Sequence, residues 1–356
     1  MKIVTVLGAR PQFIKAAAVS RVIGQYSGIE EIIVHTGQHH DANMSDIFFE
    51  QMSVPKPDYQ LEIAGLNHGA MTGRMLEEVE DILVNEKPDA VMVYGDTNTT
   101  LAGALAASKL HIPIAHVESG LRSYNMRMPE EVNRVLTDRI SSILFCPTEN
   151  AVQNLIAEGY EKLDGKIIES GDVMLDAAMF YADSAVVPSF YSGLDVDDEY
   201  ILVTVHRAEN TDNPEKLNSI MESLCELAQN RSIIFPVHPR TRQKIGEYID
   251  RPGINFVDPV GYMEMIWLMK NSGIIITDSG GLQKEAFFFE KPCITLREET
   301  EWVELVDCGA NIIAGTSREN IISAYNDLIG KDIPISTPLY GSGNASNVVV
   351  ESLLSI

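Results

Sequence analysis

The sequence predicts an α/β protein of two domains, each built on a parallel β-sheet with helices on both faces. Short runs of β-branched residues alternate with segments of helical periodicity, beginning with a strand at Lys2–Leu7 and a helix at about Phe13–Gln25. The alternation stops at Ser184–Asp198, which has the proline, serine, glycine and acidic content typical of a linker. It begins again at Tyr200–Val205, so the same architecture is expected twice.

In the first half, further strands are predicted at Ile32–Thr36, Val91–Tyr94, Ile114–Val117, Ile143–Cys146 and Ile167–Glu169. Helices are predicted at about Gly69–Asn85, Thr99–Lys109, Glu130–Ser142 and Glu149–Glu158, and from Asp172 onward. In the second half, strands are predicted at Ser232–Val237, Ile254–Val257, Ile274–Thr277 and Cys293–Leu296, with helices at Asn213–Gln229, Tyr262–Lys270, Gly281–Phe288 and Ser317–Ile329. We therefore place the domains at residues 1–183 and 199–335, and expect a short helix at 344–356 to pack back on the first domain.

Charge and composition exclude several functional classes. The 356 residues carry a formal net charge of −24, which disfavours nucleic acid and anionic membranes as partners, because both bind basic faces. An anionic small ligand in a local pocket of arginines and amides stays possible. The four cysteines lack metal-ligand spacing, no signal-peptide pattern precedes the first strand, and no apolar run approaches bilayer length. We expect a cytoplasmic protein with reduced thiols.

Three carboxylates, Asp96, Glu118 and Glu130, follow apolar runs or lie in loops that contain glycine and proline. Residues just beyond the carboxyl ends of parallel strands line the ligand crevice of such sheets. We therefore expect Asp96 and Glu118 side by side on one edge, with Glu130 on the loop that follows. Several carboxylates around one apolar-walled crevice are suited to proton transfer.

A predicted anion site lies at the first turn, Gly8-Ala9-Arg10-Pro11, with Lys15 in the helix after it. Gly8 permits a tight turn, and Arg10 and Lys15 can face an anion at a helix N-terminus. A solvated first turn is the structural alternative. The glycine patterns of dinucleotide-binding and P-loop proteins are absent from this turn.

The second half contains a stronger phosphate pattern at Ser279-Gly280-Gly281, where a strand passes into a helix. Its backbone amides can bind a phosphate, helped by the helix dipole, and Glu285 one turn later can hold ribose hydroxyls. The alternative is an ordinary N-cap serine followed by a first-turn acid.

Cationic side chains follow two other strands of this half. His206 and Arg207 follow the first strand, and His238 and Arg240 follow the next, so we expect all four to face one crevice. A satisfied structural histidine is the alternative for His206. The remaining histidines of interest lack metal-ligand spacing and are interpreted as polar loop residues: His39, His40 and His68.

Six motifs come in order over nearly the whole chain. They are Gly8-Ala9-Arg10-Pro11, Gly95-Asp96-Thr97, His116-Val117-Glu118-Ser119-Gly120-Leu121-Arg122, Pro129-Glu130-Glu131-Val132-Asn133-Arg134, His206-Arg207-Ala208-Glu209-Asn210 and Thr277-Asp278-Ser279-Gly280-Gly281. Together they resemble the non-hydrolysing UDP-N-acetylglucosamine 2-epimerases. The resemblance implies a GT-B-type fold, with two Rossmann-like domains facing a central cleft that holds a UDP-sugar. It also implies a homodimer that needs no metal or nicotinamide cofactor.

The implied reaction inverts C2 of UDP-N-acetylglucosamine to give UDP-N-acetylmannosamine, a precursor of cell-surface polysaccharides. Loss of the C2 proton accompanies departure of UDP from C1, and UDP then adds back to a 2-acetamidoglucal as a proton reaches the opposite face. The resemblance assigns the acid/base roles to the three carboxylates without saying which is the base. It assigns the diphosphate to His206, Arg10, Lys15 and the turn Ser279-Gly280-Gly281. The ribose is assigned to Glu285, and the uracil to the segment Val260–Met265.

Some positions depart from the family pattern. Met265 stands where many members have a phenylalanine, and Gln12 replaces a common glutamate. Many bacterial members of the family are activated by their own substrate at a second site, which involves a glutamine shortly after the Gln-His pair and the second arginine of an HRRE motif. Neither residue is present in the corresponding segments of this chain, Gln38-His39-His40-Asp41 and His206-Arg207-Ala208-Glu209. We therefore expect no such activation here.

Arg127, just before the Pro129-Glu130 motif, can meet a carboxylate on the sugar, although a solvated loop cation is the alternative. A carboxylate contact would suit a relative that acts on UDP-2,3-diacetamido-glucuronate for lipopolysaccharide. Other readings stay open, namely a retaining glycosyltransferase, a hydrolysing epimerase that releases UDP and free sugar, and a UDP-sugar sensor without activity.

Overall fold

The computed structural model of the protein describes residues 1–38, 55–194, 196, 199–333 and 338–355; the side chains of Arg10, Pro239, Arg240 and Glu247 lie outside the description. The chain divides into two compact units, Met1–Met179 with Pro338–Ile356, and Phe180–Thr337. The predicted linker belongs to the second unit, and the division falls within a helix that precedes it.

Among the described residues, the first unit has seven parallel strands in the order β3-β2-β1-β4-β5-β6-β7. The strands are β1 (Lys2–Leu7), β2 (Glu30–His35), β3 (Tyr59–Gln60), β4 (Ala90–Tyr94), β5 (Ile114–Val117), β6 (Ile143–Cys146) and β7 (Lys166–Glu169). The helices are α1 (Arg10–Ile23), α2 (His68–Glu86), α3 (Asn98–Lys109), α4 (Pro129–Ile140), α5 (Glu149–Ala157) and α6 (Val173–Ala182), with a 3₁₀ turn at Tyr160–Lys162.

The described part of the second unit repeats this design with six parallel strands in the order β10-β9-β8-β11-β12-β13. The strands are β8 (Ile201–Thr204), β9 (Ile233–Pro236), β10 (Ile254–Val257), β11 (Ile274–Thr277), β12 (Cys293–Thr295) and β13 (Asn311–Ile313). The helices are α7 (Ala208–Thr211), α8 (Pro214–Leu227), α9 (Pro239–Arg242), α10 (Tyr262–Asn271), α11 (Gly280–Phe288), α12 (Val303–Asp307) and α13 (Arg318–Leu328), with 3₁₀ turns at Tyr191–Gly193 and Gly246–Tyr248.

Each sheet has one point where the strand order reverses, which is where open α/β sheets bind ligands. In the first sheet it lies between β1 and β4, where Val6 pairs with Val93. In the second it lies between β8 and β11, where Thr204 pairs with Thr277. The turns that carry most of the predicted site residues begin at these strand ends.

The predicted architecture of two parallel sheets with helices is confirmed. The central strands are apolar throughout because both of their faces are covered; β4 and β11 are buried along their whole length. The elements missing from the prediction are all short, namely β3, β13, α7, α9 and α12. Segments of two to five residues are too short to show helical or strand periodicity.

The C-terminal helix α14 (Ala345–Leu353) belongs to the first unit. Its first backbone N–H groups donate to Asp176 of α6, from Ala345 at 3.1 Å and from Ser346 at 2.7 Å. The carboxylate thus satisfies donors that a helix N-terminus leaves without a partner in the helix. Among the residues that the structure describes, no helix is long and apolar enough to cross a membrane.

Candidate active site

Asp96 follows β4 and is held in place by helix α4. Its carboxylate forms an ion pair with Arg134, whose side chain is buried and also contacts Glu131 Oε2 at 2.7 Å. The side-chain amide of Asn133 donates to the Asp96 carbonyl oxygen at 3.0 Å. Both the carboxylate and the backbone of Asp96 are therefore fixed by neighbouring residues of one helix. Because the Asp96 side chain keeps 28% of its surface exposed, a substrate can still reach it.

Glu118, at the end of β5, forms a buried ion pair with Lys15 of α1. Both side chains are only 8% exposed. Glu118 adopts φ +70° and Gly95 adopts φ +62°, so two consecutive strand ends turn through the left-handed region. A Cβ on Gly95 would lie 3.2 Å from Glu118 Oε2 and 3.3 Å from Lys15 Nζ. The absence of a side chain at Gly95 therefore leaves room for the ion pair beside Asp96.

The structure brings Asp96 and Glu118 to adjacent turns, because β4 and β5 are neighbours and Gly95 N–H donates to the Val117 carbonyl at 2.9 Å. Lys15 contacts one of these carboxylates directly. The predicted contact of Lys15 with a diphosphate stays a prediction.

The first turn is held together by the side chain of Gln12. The Gln12 side-chain oxygen accepts the backbone N–H groups of Gly8 and Ala9, both at 2.9 Å, so these amides are already occupied. The Gln12 amide nitrogen donates to the Tyr94 carbonyl at 2.9 Å and thereby ties this turn to the end of β4. Gly8 is needed for close approach, since a Cβ there would clash with the hydroxyl groups of Thr36 and Thr99.

Glu130 and Glu131 begin helix α4 and face different surroundings. Glu130 is half-buried, whereas Glu131 is buried and accepts the backbone N–H groups of Ser123 at 3.0 Å and Tyr124 at 2.9 Å. Glu131 therefore organises the loop before the helix, and Glu130 keeps a carboxylate accessible at the helix N-terminus, where negative charge is favoured.

The loop from Ser123 to Met128 is held by its own hydrogen bonds. Asn125 Oδ1 accepts the Arg127 N–H at 3.1 Å, and the Asn125 carbonyl accepts the Met128 N–H at 2.9 Å. The Arg127 side chain is exposed. Together with the bonds to Glu131, this preorganises the loop that carries Arg127, three residues before Glu130.

In the second unit, Asp278 joins the turns after β8 and β11. It is fully buried and accepts the backbone N–H groups of His206 at 3.1 Å and Arg207 at 3.0 Å, as well as the Asn210 side-chain amide at 3.2 Å. The His206 Nδ1 atom lies 3.2 Å from the same carboxylate, and the His206 side chain is 51% exposed. A carboxylate on one ring nitrogen orients the other toward a ligand.

The Ser279-Gly280-Gly281 turn begins helix α11. Ser279 is the N-cap, and its hydroxyl accepts the Leu282 N–H at 3.5 Å. The Gly280 carbonyl accepts the indole N–H of Trp302 at 2.9 Å. Within the described part of the chain, the N–H groups of Gly280 and Gly281 donate to no acceptor, which leaves them available to an anion.

The other predicted residues are placed as follows. Glu285 is buried one turn into α11, His238 is exposed after β9, and Met265 is half-buried in the first turn of α10. His68 accepts the Asn98 side-chain amide at 3.0 Å, which fits a structural role. The side chains of Arg10 and Arg240, and the whole of His39 and His40, lie outside the described residues. Among those described, no cluster of His, Cys, Asp or Glu is placed to hold a metal ion.

Four residues of the site were not predicted to have a role, although all of them lie within the six motifs or just after them: Arg134, His116, Asp138 and Asp278. A signal was present, because each is a charged or titratable residue in an apolar strand, at a strand end or on the buried face of a helix. Their partners, however, are distant in sequence and could not be read from it.

Comparison with known proteins agrees with these motifs. The family model described as UDP-N-acetylglucosamine 2-epimerase matches residues 21–354. A UDP-2,3-diacetamido-2,3-dideoxy-D-glucuronate 2-epimerase of Pseudomonas aeruginosa PAO1 is 57% identical, over 100% of both chains. The chain belongs to the UDP-N-acetylglucosamine 2-epimerase family. The resemblance stated from the motifs is thereby confirmed.

Solved structures of the family support the same assignment. The Methanocaldococcus jannaschii UDP-GlcNAc 2-epimerase in complex with UDP-GlcNAc and UDP is 44% identical, covers 100% of both chains and superposes with a TM-score of 0.93. The Neisseria meningitidis enzyme bound to UDP-GlcNAc is 34% identical, with the same coverage and a TM-score of 0.92. These matches confirm the GT-B-type fold that the family resemblance implied.

Proposed function

We propose that this protein inverts C2 of a UDP-2-acetamido sugar by eliminating UDP and adding it back. The observation that carries the proposal is the set of carboxylates at the carboxyl edge of the first sheet, two of them each paired with a buried cation. Arg134 pairs with Asp96 and Lys15 pairs with Glu118, while Glu130 stays accessible on the following helix.

The C2 proton of the sugar is only weakly acidic, so its removal must be coupled to departure of the diphosphate from C1. A carboxylate on one face takes the proton and a second group on the other face returns one, which inverts the centre. Asp96, Glu118 and Glu130 supply these groups. In the second unit, His206 and the N–H groups of Gly280 and Gly281 stabilise the charge on the leaving diphosphate, and Glu285 holds the ribose.

We further propose that the sugar is a uronate, UDP-2,3-diacetamido-2,3-dideoxy-glucuronate. Two observations favour it over UDP-N-acetylglucosamine. The relative that carries that name is 57% identical, whereas the M. jannaschii UDP-N-acetylglucosamine 2-epimerase is 44% identical. In addition, the preorganised loop presents the exposed guanidinium of Arg127 close in sequence to Glu130, and a guanidinium binds a carboxylate through two hydrogen bonds. UDP-N-acetylglucosamine remains the second candidate, because the solved relatives bind it.

Three further features complete the proposal. The protein works as a cytoplasmic homodimer, the location and assembly implied by the family. It does so without a separate UDP-sugar activator. The segments Gln38–Asp41 and His206–Glu209 lack the residues that bind the activator in those family members that are activated by their own substrate.

A substrate comparison tests this proposal. Each UDP-sugar is supplied alone to the purified protein, and products are separated by anion-exchange chromatography and identified by proton NMR. We expect the uronate to be converted to its 2-epimer with a kcat/KM at least about tenfold above that for UDP-N-acetylglucosamine, a difference of about 1.4 kcal/mol. The reverse preference would assign UDP-N-acetylglucosamine. Accumulation of UDP with free sugar would identify a hydrolysing epimerase, and no conversion of either sugar would refute the proposal.

A further inference from the structure

His116 is a fully buried histidine in β5 whose two ring nitrogens both face oxygen atoms. Nδ1 lies 2.7 Å from Asp138 Oδ1, and Nε2 lies 2.7 Å from the carbonyl oxygen of Gly95. Both distances are those of good hydrogen bonds. A carbonyl oxygen carries no proton, so Nε2 must donate to Gly95.

The other nitrogen must donate as well, provided that Asp138 is ionised. Arg122 Nη1 donates to Asp138 Oδ2 at 2.7 Å, and the Gly120 N–H donates to the same oxygen at 3.2 Å. Both of these donors stabilise the ionised form of Asp138 whatever the state of His116, and the pKa of Asp138 lies below its usual value although burial raises it. Asp138 is therefore a carboxylate, and a ring between two acceptors must carry two protons.

The surrounding charges balance a histidine cation. Arg122 also binds Glu158 through Nε at 2.7 Å and Nη2 at 2.9 Å. With His116 protonated, the cluster contains two cations and two carboxylates, which is the composition that a buried site tolerates best. Two other titratable groups, Cys146 and Tyr160, interact with Asp138. Burial raises the pKa of each to about 12, so both are neutral at physiological pH.

We propose that His116 is a positioning residue, held as an imidazolium, which fixes the peptide between Gly95 and Asp96 and so aims the Asp96 carboxylate. The Gly95 carbonyl that His116 binds belongs to the peptide that joins Gly95 and Asp96. Because Gly95 has no Cβ and adopts a positive φ, this peptide plane would rotate easily without the hydrogen bond. A charged donor makes a stronger hydrogen bond than a neutral one. The proposal rests on the proposed catalytic role of Asp96.

The protonation state can be measured without any substrate. The protein is labelled with ¹⁵N at histidine, and the ring nitrogens are observed by NMR between pH 6 and pH 8.5. The His116 signals are assigned by their absence in His116→Gln, and the exposed His111, identified in the same way by His111→Asn, is the control. We expect both His116 nitrogens to keep an attached proton throughout. A ring nitrogen without a proton in the native protein would overturn the proposal, whatever the enzyme's activity.

Kinetics test the positioning role separately. Asp138→Asn keeps the shape of the cluster but makes His116 neutral, since the asparagine amide donates to Nδ1. We expect kcat to fall about tenfold, with KM and the dissociation constant of UDP changed less than about twofold, because misalignment of a catalytic group lowers kcat rather than binding. His116→Gln should lower kcat on the order of a hundredfold with the same split. Equal losses in kcat and UDP affinity, or an unchanged kcat, would contradict the role. His111→Asn should leave both constants unchanged.

Discussion

The buried carboxylate of Asp278 accepts the backbone N–H of His206 at 3.1 Å and so joins the turns after β8 and β11. These turns lie on the two sides of the point where the strand order of the second sheet reverses. One side chain therefore sets the geometry of the two segments to which we assign diphosphate binding.

Replacement of this carboxylate should loosen both turns. In Asp278→Asn, one of the two oxygens becomes an amide group that faces N–H donors, so at least one buried donor loses its acceptor. We expect the free energy of unfolding of the second unit to fall by about 2 kcal/mol, and UDP to bind about tenfold more weakly. Urea unfolding and calorimetric titration with UDP measure the two effects. Asp258→Asn is the matched control, because that carboxylate is 93% exposed. Equal stability of the two variants would contradict this role of Asp278.

Replacing the glycine at position 95 should lower activity. Gly95→Ala puts a methyl group 3.2 Å from Glu118 Oε2 in a backbone conformation of φ +62°. We expect a loss of about 1–2 kcal/mol in stability and at least about a tenfold loss in kcat. Gly73→Ala is the control, since that glycine is exposed in helix α2 with open space around its Cβ position; it should stabilise the protein by about 0.5–1 kcal/mol. A Gly95→Ala enzyme with normal kcat would show that the Lys15–Glu118 ion pair tolerates displacement.

Asp138 should make the first unit sensitive to acid. Because its pKa is lowered in the folded state, its contribution to stability is complete above the unfolded pKa of about 4 and disappears as the pH falls through the folded value. We expect Asp138→Asn to be about 3 kcal/mol less stable than the native protein at neutral pH, with the difference shrinking below about pH 4. Urea unfolding at a series of pH values measures this. Two parallel stability curves would show that Asp138 is not ionised in the folded protein.

Arg127 should determine which sugar is accepted. Removing its guanidinium in Arg127→Ala takes away a partner for the sugar carboxylate only, so we expect KM for the uronate to rise about tenfold or more, while that for UDP-N-acetylglucosamine changes less than about twofold. Steady-state kinetics with both sugars provide the comparison. Arg139→Ala, which removes another exposed arginine of the same unit, serves as the control. A similar change in KM for both sugars would remove Arg127 from sugar selection.

The fold was predictable because its central strands are uniform apolar runs and its long helices show clear periodicity. The strand Ile274–Thr277 and the helix at Thr99–Lys109 were predicted to within a residue of their observed limits. Strand β3 and strand β13 could not be found, because segments of two or three residues carry no pattern of their own.

The candidate site was predictable only as a set of positions. Asp96, Glu118 and Ser279 were predicted as site residues because each of them follows a predicted strand. The pairing of Lys15 with Glu118, which are 103 residues apart, depends on three strands meeting at one edge. The occupation of the Gly8 and Ala9 amides by Gln12 also required coordinates, because the sequence does not show where an uncharged side chain points.

Replacing Asp96 by asparagine should abolish turnover without removing UDP binding. Asp96→Asn keeps a side chain of the same size beside Arg134 but cannot accept a proton. We expect it to lose turnover completely while UDP affinity stays within about threefold of the native value, since Asp96 is proposed to act on the sugar. A large loss of UDP binding would make Asp96 a ligand for the nucleotide.

The measurement that tests the central claim most directly is proton NMR of the native protein with its UDP-sugar in D₂O. If C2 is inverted through loss of its proton, the product will carry deuterium at C2, and the C2 proton signal of the starting sugar will disappear as the 2-epimer forms. The Asp96→Asn sample should show neither change. Formation of a product that retains its original C2 proton would contradict the account.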